Sequence, residues 1–95
     1  MSEKKSPNVA IIIVNWDGKE DTAECIKSIY ESTYKDFEII IVDNASTDGS
    51  VEFISEKFPD VKIVKSDKNV GPVQGFNLGM RNTLASLICI LGTTL

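Results

Sequence analysis

Apolar and polar positions fall in blocks along this chain. Residues 9–14 and 37–42 are short, β-branched runs, and each stops abruptly in a polar cluster. The first cluster is Asn15-Trp16-Asp17 and the second is Asp43-Asn44-Ala45-Ser46. Runs of this length between polar turns predict strands buried on both faces, as in a parallel sheet. Between them Ala23, Ile26, Ile29 and Tyr30 recur at three- and four-residue spacing, which predicts a helix over 20–32 with one buried face. Asp17-Gly18-Lys19-Glu20 reads as a capping box, with Asp17 accepting from the helix amide three residues on.

The pattern continues with a second helix over 50–57, whose stripe is Val51, Ile54 and Phe58 and which Pro59-Asp60 stops. A shorter strand at 61–64 is flanked by lysines, as suits a sheet edge. A third helix opens near Pro72 and runs to Ala85, with Val73, Phe76, Met80 and Leu84 as its apolar face. Residues 87–91 form a last strand, apolar enough to want cover on both sides. The order β-α-β-α-β-α-β predicts an α/β fold in three layers, Rossmann-like, around a mostly parallel sheet of order 3-2-1-4. Ligands of such sheets bind beyond the strand C-termini, where the winding reverses, here between the first and fourth strands.

Ninety-five residues make one small domain, read as a flexible arm over 1–8 and a single unit over 9–95. The net charge of -4 disfavours a nucleic-acid partner, and the few adjacent lysines form no basic stripe. No segment approaches the roughly 20 apolar residues that span a bilayer. The charged start, MSEKKSPN, carries no signal-peptide pattern. Cys25 and Cys89 are far apart, and the chain has no histidine, so no zinc pattern exists. Both cysteines read as small buried hydrophobes in a reducing, cytoplasmic setting.

The stretch from Val9 to about Ile54 (VAIIIVNWDGKEDTAECIKSIYESTYKDFEIIIVDNASTDGSVEFI) resembles the opening of the family 2 inverting glycosyltransferases, which have the GT-A fold. Asn69-Val70-Gly71 through Gly75-Phe76-Asn77-Leu78-Gly79 is similar to that family's glycine- and asparagine-containing segment. The resemblance covers nearly the whole chain. It implies a domain that binds the nucleotide of a sugar-nucleotide donor, commonly a UDP-sugar. By position, Trp16 would stack on the base and Asp43 would hydrogen-bond the base or ribose. Asn15, Asp17 and Asn44 would flank that pocket, Asp48 would follow on the loop, and Gly71, Asn77 and Arg81 would serve the diphosphate end.

The departures matter as much. Family members carry an Asp-x-Asp-like element after the fourth strand, whose carboxylate holds Mg2+ or Mn2+ against the diphosphate. Here Leu91 is followed by Gly92-Thr93-Thr94-Leu95, and no carboxylate occurs after Asp67. Hard divalent cations bridging phosphates favour anionic oxygen ligands. The acceptor-binding half and its general base are missing too. The reading is therefore of a truncated donor-binding half with no catalytic or metal residue of its own, transfer being the work of a complete enzyme.

Structural explanations compete at several positions. Asp43 could cap the turn after its strand, and Trp16 could pack in a core. Asp17 and Asp48 are explained by helix termini. Gly71-Pro72 fits a loop followed by a first helical turn. Gly75 and Gly79 fit close helix–sheet packing, with Phe76 and Met80 in the core. An alternative to the donor-binding role is a non-catalytic nucleotide-binding or self-associating module, with a homodimer formed through the 87–91 edge. A receiver-like phosphoacceptor would need an acidic pair after the first strand, where only Asp17 stands.

Overall fold

The computed structural model describes residues 8–33 and 36–91. Seven elements follow in the order β1 (Val9–Asn15), α1 (Lys19–Tyr30), β2 (Phe37–Asn44), α2 (Ser50–Lys57), β3 (Lys62–Ser66), α3 (Gly71–Met80) and β4 (Leu87–Leu91). The strands form one sheet of order β3-β2-β1-β4, parallel throughout. The predicted arm lies outside the described residues except for Asn8, whose carbonyl accepts the Leu87 N–H at 3.0 Å. Residues 92–95, where the sequence departs from the Asp-x-Asp pattern, also lie outside them.

Each face of the sheet has its own apolar layer, because alternate side chains of β1 and β2 point to opposite sides. On one face Ile13, Ile39 and Ile41 pack with Ile26 of α1 and Ile54 of α2. On the other Ala10, Ile12, Ile40 and Val42 pack beneath α3, with Phe76 and Leu78 partly buried against them. Burial on both sides explains why the central strands are almost uninterrupted β-branched runs.

Several elements depart from the sequence expectation. Helix α1 begins at Lys19 and ends at Tyr30, and its N-cap is Gly18 with no side-chain cap of its own. Asp17 is not the cap: its backbone is left-handed, φ 51°, and its Oδ1 instead accepts the Thr47 N–H at 2.7 Å. The cap comes from elsewhere, for the Lys19 N–H donates to Asp48 Oδ2 at 3.3 Å. Strand β3 starts at Lys62 and extends to Ser66, with Val61 buried just before it.

Helix α3 stops at Met80, short of Ala85. Tertiary bonds end it: Lys62 Nζ donates to the Asn82 carbonyl at 2.7 Å, and Thr83 Oγ1 donates to Glu38 while accepting the Ala85 N–H. Its buried side is also not the large apolar stripe. Val73, Met80 and Leu84 are exposed, and the buried positions are Gly75 and Gly79. A Cβ on Gly79 would lie 2.6 Å from Ile12 Cγ2, and one on Gly75 would lie 3.0 Å from Val14 Cγ2. The two glycines let the helix backbone rest on the sheet, as their spacing suggested. Strand β4 pairs with β1 on one side only, and Leu87, Ile88, Cys89 and Ile90 are exposed. Cys89 is therefore not buried; Cys25 is half-buried, and burial raises its thiol pKa.

Candidate functional site

The parallel sheet brings the ends of β1, β2 and β3 to one rim. In register, Asn15 lies beside Asp43, and Asp43 lies beside Lys65. An amide, a carboxylate and an ammonium thus stand in a row across three strands, on the face that carries α1 and α2. The loop conformations at this rim are special. Asp17 (φ 51°), Ala45 (φ 61°), Gly49 (φ 82°) and Gly71 (φ 85°) all have left-handed backbone, and all lie at strand exits or helix starts there. For Asp17 and Ala45 that conformation costs energy, and such strain persists only where surrounding contacts enforce it.

Those contacts are visible. Asn15 is 1% exposed, and its side chain is fully engaged. Its Nδ2 donates to Asp43 Oδ1 at 2.9 Å and to Ser46 Oγ at 3.2 Å, and its Oδ1 accepts the buried Thr22 hydroxyl at 2.6 Å. Asp43 is 4% exposed, and its Oδ2 accepts the Ser46 N–H at 3.0 Å. The turn-capping explanation for Asp43 therefore operates, alongside the bond from Asn15. The Asp17 N–H donates to Ser46 Oγ at 2.9 Å.

Asp48 spans two helices. Oδ2 takes the α1 amide of Lys19, and Oδ1 accepts the Ser50 N–H at 3.0 Å together with the Ser50 hydroxyl. Partial desolvation acts to raise its pKa, but the Ser50 hydroxyl and the Lys19 and Ser50 amides outweigh it, and the carboxyl sits below its usual value. A negative charge between two helix N-termini is also favoured by their dipoles.

Asn44 faces the α3 side. Its Nδ2 donates to the Gly71 carbonyl and its Oδ1 accepts the Val70 N–H, both at 3.3 Å, so it holds the entry to α3. Around Gly71 there is open space. Trp16 is 57% exposed, which places the indole on the rim and not in a core.

A cavity of about 240 Å3 opens beside Asp43, lined also by Ser46, Ser50, Glu52, Lys65 and Ser66 among others. It lies between the tips of β2 and β3, under the start of α2; Trp16 is not part of its wall. Of the crevice expected between β1 and β4, the described residues include the strand ends Asn15 and Leu91.

The structure thus gathers Asn15, Trp16, Asp17, Asp43, Asn44, Asp48 and Gly71 at one rim. Asn77 is exposed partway along α3. Arg81 caps the C-terminal end of that helix, next to Asn82, which binds the first residue of β3. A helix of this length carries Arg81 about 15 Å from Gly71, toward the opposite end of the sheet. Among the described residues no three His, Cys, Asp or Glu side chains are placed to hold a metal ion. Both oxygens of Asp43 and of Asp48 accept hydrogen bonds from the protein, which orients the two carboxylates.

Sequence reasoning missed Ser46, Thr22 and Lys65. Ser46 sits within the run VDNASTDGS and could have been singled out as the hydroxyl nearest Asp43. Lys65 becomes visible only through the strand register, and Thr22 only through its hydrogen bond to Asn15.

The profile of Glycosyl transferase family 2 matches residues 10–92. The chain belongs to this family. An uncharacterized glycosyltransferase of Rickettsia conorii is 38% identical over 80 residues, covering 82% of this chain and 12% of that protein. Among solved structures, a mannosyltransferase from Pyrobaculum calidifontis in complex with GDP-Man and Mn2+ superposes with a TM-score of 0.82. It is 25% identical, and the match covers 94% of this chain and 28% of that one. Residues 1–349 of S. aureus TarS in complex with UDP give a TM-score of 0.82 at 20% identity, over 90% of this chain and 27% of that one, a likeness of fold. The fold is that of the GT-A glycosyltransferases. This family 2 chain spans 12–24% of the length of the first curated relatives it matches. No described helix is long and apolar enough to cross a membrane.

Proposed function

We propose that this chain binds the nucleotide of a sugar-nucleotide donor at the β1–β2–β3 rim, as the donor-binding part of a family 2 glycosyltransferase. The observation that carries the reading is Asp43, a carboxylate fixed at the rim between Asn15 and Lys65 and opening on a cavity. Each carboxylate oxygen has two acceptor sites and only part of that capacity is used, so Asp43 can still take an N–H or O–H from a ligand. Exposed Trp16 adds a face for stacking, worth about 1–3 kcal/mol per base. The related mannosyltransferase holds GDP-Man and TarS holds UDP, so both nucleotides are candidates, a UDP-sugar first.

Transfer to an acceptor hydroxyl, and the Mg2+ or Mn2+ that would stabilise a departing diphosphate, are proposed for a complete family member only. Within this stretch the residues bind and orient. Asn77 and Arg81 keep a proposed role toward the diphosphate end. Two free thiols, Cys25 and the exposed Cys89, fit a reducing cytoplasm.

The test is titration of the 15N-labelled chain with UDP and with GDP. Amide shifts should concentrate at Trp16, Asp43, Ser46 and Gly71. Scattered shifts, or none at millimolar nucleotide, reject the site.

A second reading has its own observation. Strand β4 ends the sheet with Leu87 59% and Ile90 46% exposed. Such an edge pairs readily with another strand, and self-association through β4 would cover it. Sedimentation that shows only monomer at high concentration overturns that reading.

A further inference from the structure

The hydrogen bonds of Ser46 fix the direction of a proton that the fold does not use. A serine hydroxyl has two lone pairs to accept with and one O–H to donate. Both lone pairs of Ser46 Oγ are taken, one by Asn15 Nδ2 at 3.2 Å and one by the Asp17 N–H at 2.9 Å. Neither donor can be reversed. The Asp17 N–H is backbone, and Asn15 must turn its Nδ2 this way because its Oδ1 takes the Thr22 hydroxyl while Asp43 can only accept. Among the described residues no acceptor receives the Ser46 O–H. Ser46 also lines the cavity at Asp43.

We infer that Ser46 is a ligand-binding residue, whose O–H donates into the cavity beside the accepting carboxylate of Asp43. A donor next to an acceptor matches a carbonyl beside a ring N–H, the lactam edge that uracil and guanine share. The N–H goes to Asp43 and the neighbouring carbonyl oxygen receives the Ser46 proton. This deepens the reading above and rests on it. The assignment makes Ser46 a contact and not merely a tie between loops.

Removing the hydroxyl also frees two donors that the loops need, so loss of affinity in Ser46→Ala alone would not separate contact from structure. The ligand can be varied instead. Calorimetric dissociation constants would be measured for wild type, Ser46→Ala and Ser46→Thr with UDP, 2-thio-UDP, 4-thio-UDP, GDP and inorganic pyrophosphate. Sulfur accepts hydrogen bonds poorly but leaves the N3–H in place. One of the two thio analogues should bind wild type about tenfold more weakly than UDP. Ser46→Ala should bind UDP that much more weakly and no longer distinguish UDP from the thio analogues. Ser46→Thr should restore the distinction, and GDP should lose affinity in Ser46→Ala while pyrophosphate does not. Equal discrimination by wild type and Ser46→Ala overturns the assignment, as does a parallel loss for pyrophosphate. If wild type binds neither UDP nor GDP, the functional reading falls and the assignment with it. Wild-type binding with an unresponsive Ser46 removes the assignment alone.

Discussion

Asn15 Nδ2 donates to Asp43 Oδ1 at 2.9 Å across the β1–β2 boundary, deep enough that neither side chain is more than 4% exposed. The last residue of one strand therefore orients the carboxylate of the next. Asn15→Ala should leave both Asp43 and the Thr22 hydroxyl short of a partner, at a cost of about 1–3 kcal/mol. Asn15→Asp should cost more, since it sets two carboxylates face to face. Urea denaturation of the three proteins checks the order.

The close approach of α3 gives a second expectation. Gly79→Ala should destabilise by about 1–3 kcal/mol, because the new Cβ meets Ile12 Cγ2 in a filled core. Gly75→Ala should cost less, since its tightest neighbour is a methyl of half-buried Val14. Thermal melts that show no loss for Gly79→Ala would mean the helix stands farther from the sheet than 2.6 Å implies.

Asp48 supplies a pH dependence. Its folded pKa is lowered, so the stability it contributes is complete above the unfolded carboxylate value of about 3.9 and fades as pH falls through the folded value. Asp48→Asn should lose about 1 kcal/mol at neutral pH, because the Lys19 and Ser50 N–H groups each bond a separate oxygen and an amide offers only one, and it should show a shallower acid limb. Stability measured from pH 7 down to pH 2 for both proteins is the check; parallel curves would remove Asp48 from the account.

Trp16 separates binding from folding. Being largely exposed, it can be replaced by alanine with little change in melting temperature. Loss of a stacking face should nonetheless weaken UDP by roughly 5- to 100-fold. A fall in both quantities would mean the indole packs against the protein.

Much of this was legible in the chain. The central strands announced themselves because burial on both faces demands unbroken runs such as Ile11-Ile12-Ile13, and the polar residues that end them, Asn15 and Asp43, fell on the rim where parallel strands must end. The packed face of α3 is legible in the Gly75–Gly79 spacing but not in the large side chains, for Val73, Met80 and Leu84 are exposed. The cap of α1 was misplaced for a different reason. Asp17 stands one residue before the N-cap, Gly18, and the group that serves Lys19 comes from Asp48, 29 residues away in sequence, which no local pattern encodes. Leu84 belonged to the helical periodicity, yet Lys62 and Glu38 ended the helix before it.

The bonds that stitch Asp17 and Lys19 to Ser46, Thr47 and Asp48 make one rigid lip out of two loops. A nucleotide arriving there meets groups already in position, so little ordering entropy is lost on contact. Association should then be a single fast phase, limited by encounter and insensitive to slow rearrangement.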